Sequence, residues 1–256
     1  MMKGLVALLS FVSTAAWAQH ALAPPQVGFI QDSRREIRPV IGLAGNFLVG
    51  RAASSGIVSA AFSGSFGMLK SDASLSVIDQ TGHAIVSVDA PPGPALFAFS
   101  ANGSPALAYF EQSKTLRAWD GRKFHPGPRI DQDVISIASL SLTLGALIVQ
   151  RENGLWKLDI ELASGAIVSQ TALPGLTAPV LRLASGGLIY RDVNGLVLRR
   201  EDGSEKHIAA HLPKSFAFGQ MGDGWIQVTD LASSRLSAVN IQPGHERLYL
   251  LPEVRQ

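Results

Sequence analysis

The chain has 256 residues, of which 46% are hydrophobic and 16% are charged, so it can bury a sizeable core and does not have the composition of a disordered segment. Its formal net charge is only +2, which gives no electrostatic reason to expect nucleic acid or an anionic membrane surface as a partner. The sequence contains no cysteine, which excludes disulfides and an anchor on a lipidated N-terminal cysteine.

The N-terminus has the pattern of an export signal. Lys3 precedes an apolar run, Gly4–Ala16, and a small-x-small motif ends at Ala18. We expect a signal peptide over 1–18, cleaved after Ala18, and a single mature domain over 19–256 without a transmembrane segment. An uncleaved anchor is the alternative, but the run is short for a membrane span. Export without cysteine favours a bacterial periplasm or the medium.

After the N-terminal segment, the sequence repeats with a period of about 40 residues. Each repeat contains a marker run, which is a short segment that begins with an apolar residue and usually ends with a polar residue, as in SLSVID and TLRAWD. The opening residues are separated by 41, 39, 41 and 40 positions: Leu75, Leu116, Leu155, Leu196 and Leu236. A weaker copy opens at Ile37, 38 residues before the first of these.

Each repeat has the same internal order. An apolar segment such as LFAFS is followed by a Gly or Asn-Gly break and a second run such as ALAYF. A tight polar turn, the marker run, a glycine turn and a fourth run such as AIVSV complete the unit. Most units end in a proline-rich link, such as APPGP or HPGPR, where proline does not remove a donor from a sheet.

Four short antiparallel strands in about 40 residues are the sequence pattern of a β-propeller blade. Five full units occupy roughly 57–256, and the segment 26–50 adds about three strands. We therefore predict an all-β propeller of six blades, with seven or five as alternatives. Residues 19–26 or the C-terminal tail are candidates for the strand that the first blade lacks.

One uncharged segment, 134–149, could be taken for a membrane helix. It falls in register with the first and second strands of its repeat, and Gly145 lies near the expected turn. We therefore interpret it as two buried strands.

Residues 67–94 resemble the YVTN-type propeller repeat. The matching pieces are the run Ser76–Asp79, the turn Thr81-Gly82, the strand Ile85–Val88 and the exit Gly93-Pro94. Residues 154–179 look like a looser copy. The pair Trp119-Asp120 is similar to the WD40 repeat, although a Gly-His dipeptide does not stand in its usual place. The resemblance implies an exported bacterial propeller of the YVTN-type or WD40-like class.

In a propeller, the links between blades and the turns between second and third strands share the face that usually binds ligands. The charged or imidazole side chains expected there are the ligand-face candidates His125, Asp131, Asp133, His211 and Lys214. The alternative interpretation is that they are solvated loop residues. His207 and His211 have a helical zinc spacing, but in a strand they would lie about 13 Å apart.

The sequence contains no catalytic motif, no cofactor-binding loop and no metal-ligand motif, so we predict no catalytic, cofactor or metal residues. The leading hypothesis is an exported, non-catalytic propeller that binds a protein, a peptide or a glycan through one face. The alternative is a propeller enzyme, such as a metal-assisted hydrolase or lactonase, because fold does not decide function. Carboxylates or histidines converging on one channel mouth would favour the enzyme, and an apolar or Ser/Ala-lined mouth would favour binding.

Overall fold

A computed structural model of the protein describes residues 25–253. Within that range the chain forms 23 β-strands in six antiparallel sheets. The sheets form the blades of a six-bladed β-propeller, which confirms the predicted fold class and blade count. The signal peptide over 1–18 and its cleavage site lie outside the described residues. No helix in the described range is long and apolar enough to cross a membrane.

The strands follow one another in chain order within each blade. The first blade contains β1 (Gln26–Gln31), β2 (Ile37–Leu43) and β3 (Asn46–Val49). The second contains β4 (Ser59–Phe62), β5 (Phe66–Lys70), β6 (Ser74–Asp79) and β7 (Ala84–Asp89). The third contains β8 (Ala95–Phe99), β9 (Ala106–Phe110), β10 (Thr115–Trp119) and β11 (Phe124–Arg129). The fourth contains β12 (Asp133–Ser139), β13 (Leu144–Arg151), β14 (Gly154–Glu161) and β15 (Ile167–Leu173). The fifth contains β16 (Val180–Arg182), β17 (Leu188–Asp192), β18 (Gly195–Arg199) and β19 (Glu205–Ala209). The sixth contains β20 (Phe216–Gly222), β21 (Trp225–Asp230), β22 (Leu236–Asn240) and β23 (Arg247–Leu250).

The five full marker runs all form third strands, as predicted: β6, β10, β14, β18 and β22. The closing Asp or Asn forms the following turn in the second, third and sixth blades, whereas Asp159 of the fourth blade lies inside β14 and accepts the Ser169 hydroxyl instead. The Asp79 carboxylate accepts the backbone N–H of Thr81 and of His83, and the Asn240 amide oxygen accepts that of Gln242. Such side-chain bonds stabilise a tight turn, which explains why the polar residue recurs with the glycine turn.

The core lies between the blades, because strand side chains alternate between the two neighbouring blades. Met68 packs in a cluster with Phe97 of the third blade, whereas the next residue, Leu69, packs with Phe29 of the first blade. Trp119 is fully buried between the second and third blades, where its ring meets Phe66 edge-on with centroids 4.9 Å apart. Six such clusters, one per junction, hold the ring together.

The first blade lacks the innermost strand. Gly28 of β1 lies against Met221 at the end of β20, whereas Gln31 bonds to Gln227, which is paired with Gly219 in the middle of β20. The two strands therefore run in opposite directions, whereas the innermost strands of the other blades share one direction. β1, β2 and β3 thus correspond to the second, third and fourth strands of a full blade, and β20 packs directly against β4.

Side chains close the ring at this point. The Gln227 amide accepts the backbone N–H of Gln31 at 3.1 Å and donates to its carbonyl at 2.9 Å, as a neighbouring strand would. Across the first blade, the Asp223 carboxylate of the sixth blade accepts the backbone N–H of Gly64 of the second blade at 2.8 Å. Of residues 19–26, only Pro25 and Gln26 are described. They do not supply the missing strand, and neither does the described tail up to Glu253.

Prolines occur inside strands as well as in links. The predicted link HPGPR lies in β11, the outer strand of the third blade, where an edge tolerates proline. Pro39 lies in the middle strand β2, and its carbonyl accepts the N–H of Gly50 just beyond the end of β3. The N–H group that proline lacks would therefore have pointed beyond the end of β3.

Candidate functional site

The five predicted ligand-face residues occupy different parts of the propeller. We call the face that carries the blade links and the turns between second and third strands the link-side face, and the opposite face the turn-side face. Asp131 lies in the link before β12, with its carboxylate 2.8 Å from Arg129 Nε, and Asp133 begins β12. His211 and Lys214 lie in the link between β19 and β20. These four are on the link-side face, as expected.

His125 lies elsewhere. It is part of β11 rather than a link, and its Nε2 is 2.7 Å from the Asp120 carboxylate beside a turn-side turn. The structure therefore brings Asp131 close to Asp133, and His211 close to Lys214, but it does not bring the five together. None of them lines the channel cavities described below. Their role in binding stays a prediction.

A cavity of about 650 Å³ opens on the link-side face, and we call it the link-side cavity. Its walls are the first residues of the inner strands, including Phe97, Ile135 and Phe216. Its charged residues are all carboxylates, contributed by the first, third and sixth blades: Asp32, Glu111 and Asp230.

The three carboxylates have different environments. Asp32 accepts the Arg38 guanidinium at 2.9 Å and two backbone N–H groups. Asp230 accepts hydrogen bonds from the Ser233 hydroxyl and the Ala232 N–H, which lower its pKa. Glu111 is open to solvent through the mouth, but surrounding protein partly desolvates its carboxylate and raises its pKa. Glu111 is therefore the carboxylate best placed to take up a proton in this mouth.

A larger cavity, of about 820 Å³, opens on the turn-side face, and we call it the turn-side cavity. It spans the second, third, fifth and sixth blades. Its apolar wall consists of Phe62, Phe99, Leu183, Ile226 and Ile241. Small residues from the turns between first and second strands form much of its rim: Ser63, Ser100, Ala101, Ala184 and Ser185. Of these, the Ser100 hydroxyl is buried without a hydrogen-bond partner in the described residues.

The position of this cavity follows from how the sixth blade sits in the ring. β20 leans toward β1 and β4, and it does not approach β16 of the fifth blade as closely as the other inner strands approach their neighbours. Large side chains, including Phe216 and Leu198, fill most of the junction between the fifth and sixth blades. The remaining space opens on the turn-side face, and Gln220 borders both cavities.

Charged residues of the fifth and sixth blades line part of the cavity beside the apolar wall: Arg199, Arg200, Glu201, Asp202 and Asp223. Arg200 at the rim is paired with Glu246 across the junction of the fifth and sixth blades, and Asp223 is engaged by the Gly64 N–H. Within residues 25–253, no three His, Asp or Glu side chains are placed so that they could hold a metal ion together. The turn-side cavity therefore offers shape and apolar surface rather than a set of reactive groups.

No protein-family profile matches the chain. No curated protein matches it either. Solved structures resemble it in fold. The crystal structure of a nidogen/laminin complex matches with a TM-score of 0.54 and 12% identity, over 88% of this chain and 96% of that one. TolB from Acinetobacter baumannii matches with a TM-score of 0.54 and 14% identity, over 88% of this chain and 63% of TolB. The Cps50 (Swd1) β-propeller domain of Myceliophteria thermophila has a TM-score of 0.47 and 12% identity, over 79% and 89%. At these identities the likeness shows the propeller fold and nothing finer.

The sequence did contain a signal for the turn-side cavity. A Phe-Ser pair ends the first strand of two successive repeats, at Phe62-Ser63 and Phe99-Ser100, 37 residues apart. An aromatic residue repeated at that position faces the same end of the channel in both blades. The links do not point to these residues, because the residues lie on the opposite face.

Proposed function

We propose that the protein is an exported, non-catalytic propeller of the bacterial periplasm or medium that binds a protein or peptide through the turn-side cavity. The observation that carries this proposal is the combination of an apolar wall with a Ser/Ala rim in a cavity large enough for several side chains. Such a concave site, with an apolar wall and polar groups at its rim, is typical of a binding site.

The chemistry of the wall also favours one ligand class. Of the apolar residues that line the cavity, Ile241 and Pro243 are the more accessible, whereas Phe62, Phe99 and Ile226 are nearly buried. These side chains have no hydrogen-bond donors, which suits an aliphatic or aromatic segment of a polypeptide better than a glycan.

The metal-assisted hydrolase stays the alternative function. Asp32, Glu111 and Asp230 line the link-side cavity, but in the described part of the chain they are not placed to hold a metal ion together. The YVTN-type assignment also remains part of the proposal and rests on residues 67–94.

Filling the cavity tests the proposal. Ser185 lies exposed on the rim, so Ser185→Trp should fold normally and occupy the space with an indole. Ser33→Trp is the matched control, since Ser33 is an exposed serine that borders the link-side cavity. A peptide selected from a random library by the wild-type protein should bind the control as well as wild type. It should bind Ser185→Trp at least about tenfold more weakly, a loss of about 1.4 kcal/mol.

The opposite pattern, with binding lost only in Ser33→Trp, would place the ligand on the link-side face and overturn the proposed site. Loss in neither variant would place the ligand away from both cavities.

A further inference from the structure

The outer edges of the six blades are not equally protected against pairing with another strand. Natural sheets protect an exposed edge with short strands, charges, prolines or bulges. Here β3 and β23 are short, β11 contains Pro126 and Pro128, and β19 carries charged residues. The outer strand of the second blade, β7, ends in Asp89, whose carbonyl accepts Arg117 of the next blade.

β15 of the fourth blade differs from all of these. It is the longest of the six outer strands, with seven residues, and its sequence IVSQTAL contains neither charge nor proline. Six of the seven residues are exposed, including Val168 at 63%. One irregularity in its pairing with β14 lies near its start, and from Ser169 to Leu173 the register is continuous. The edge is therefore long and uncharged, with a bulge at Val168 and a regular register from Ser169 onward. A long, uncharged edge permits a further strand to pair.

The sequence of β15 also suits antiparallel pairing with itself. If a twofold axis passes through Gln170, Val168 stands opposite Ala172 and Ser169 stands opposite Thr171 of the second copy. Apolar residues then meet apolar residues, and hydroxyl residues meet hydroxyl residues. No like charges would face each other, which is the usual obstacle to pairing identical strands.

From this edge we propose that the protein forms a twofold-symmetric dimer in which β15 pairs antiparallel with β15 of a second copy, centred on Gln170. The two fourth blades then form one continuous eight-stranded sheet. Such an isologous contact closes on itself and leaves no further β15 edge for growth. The proposal concerns assembly and does not depend on the ligand of the turn-side cavity.

The absence of cysteine makes the register directly measurable. In the proposed pairing the two Gln170 Cβ atoms face each other at about 5 Å, so Gln170→Cys should form a disulfide-linked dimer on mild oxidation. The two copies of Val168 would lie four residues apart along the strands, about 13 Å, so Val168→Cys should stay unlinked. The double variant Val168→Cys with Ala172→Cys should link again, because these positions face each other.

Sedimentation of reduced protein gives an independent measurement. In a concentration series up to about 100 µM, wild type should form a dimer. The interface is small, so the dimer is expected to be weak and to need the higher concentrations. Gln170→Lys should be monomeric, because the two lysines would stand directly opposite each other at the twofold axis. Ile85→Lys, which changes an exposed apolar residue of β7, should dimerise like wild type.

A wild-type protein that stays monomeric throughout this range overturns the proposal. So does a dimer that persists in Gln170→Lys, which would place the contact elsewhere. Equal cross-linking of Gln170→Cys and Val168→Cys would indicate random collision or another register, and it would also exclude the proposed pairing.

Discussion

The inner edge of the first blade and the outer edge of the fourth blade are both strand edges without a neighbouring strand in their own sheet, but they are treated differently. At the inner edge, Gln227 bonds to both backbone groups of Gln31, and Gly28 fits tightly against Met221. At the outer edge, β15 meets solvent along nearly its whole length. The difference teaches that this chain closes its ring with specific side chains and leaves its longest backbone edge free for association.

The largest loss of stability is expected at Gly28, where the inner edge of the first blade leaves no space for a side chain. A Cβ atom at Gly28 would lie 2.0 Å from the Met221 carbonyl oxygen, and its φ of +157° is one that other residues rarely adopt. Gly28→Ala should lower the free energy of unfolding by about 3 kcal/mol or more, because the backbone of β1 or β20 must move. Gly82→Ala is the control, with open space around its Cβ position and a φ of +89°, and should cost about 1 kcal/mol. Chemical denaturation measures both, and equal losses would show that the first blade can shift without penalty.

The next effect concerns the side chain that replaces a strand. Gln227 is 8% exposed, so Gln227→Leu leaves the N–H and C=O of Gln31 without partners in a mostly buried place. We expect a loss of about 2 kcal/mol. Gln150→Leu, also in a second strand, removes only one exposed bond to a neighbouring residue and should change stability by less than about 0.5 kcal/mol. If urea unfolding gave the same midpoint for both variants, the closing role of Gln227 would be wrong.

A smaller effect is expected at the junction of the fifth and sixth blades. Glu246 is almost fully buried and its carboxylate pairs with Arg200. The backbone N–H of Glu246 and the Arg200 guanidinium lower its pKa below the ordinary 4.5. Its contribution is therefore complete above pH 4.5 and is lost as the pH falls through the lower pKa of the folded state. Glu246→Gln should lose about 1 kcal/mol at pH 7 and progressively less in acid.

Glu253→Gln provides the comparison for that variant, because Glu253 is 85% exposed and 3.9 Å from Arg235. It should match wild type at every pH. A constant difference between Glu246→Gln and wild type from pH 7 to pH 3 would mean that the ion pair is not its source.

The smallest effect is expected on the outer strand of the third blade. Hydrogen bonds from His125 and from the backbone N–H groups of Lys123 and Arg122 hold the pKa of Asp120 well below its ordinary value. His125→Ala should raise the pKa of Asp120 toward 3.8, with little change in thermal unfolding because the pair is exposed. Carboxyl NMR titration would show the change, and Asp202 on another blade is the internal reference. An unchanged Asp120 titration would show that the imidazole is not its main partner.

The fold could be predicted because its signals are local and repeated. The marker runs from Leu75 to Leu236 all form third strands, and in three of them an Asp or Asn side chain helps to form the turn that follows. The copy at Ile37 also matches the third strand of a full blade, so the sequence contained the information that the first blade lacks its innermost strand. The contact that compensates for that strand could not be predicted, since Gln31 and Gln227 are 196 residues apart.

The candidate site was harder to predict for a related reason. Links are recognised by charge and proline, whereas the wall of the turn-side cavity consists of apolar residues that look like ordinary core, such as Phe99 and Ile226. Phe99 and Ile226 belong to the core between blades, and the cavity opens beside them because β20 lies close to β1 and β4. That position depends on the whole ring rather than on any local pattern.

Because the first blade lacks an innermost strand, the described residues form six blades but only five innermost strands around the channel. Five blades therefore contribute a strand to the channel wall, whereas all six contribute to the outer surface. The innermost strands of the sixth and second blades, β20 and β4, are therefore direct neighbours in a ring that has a further blade between them.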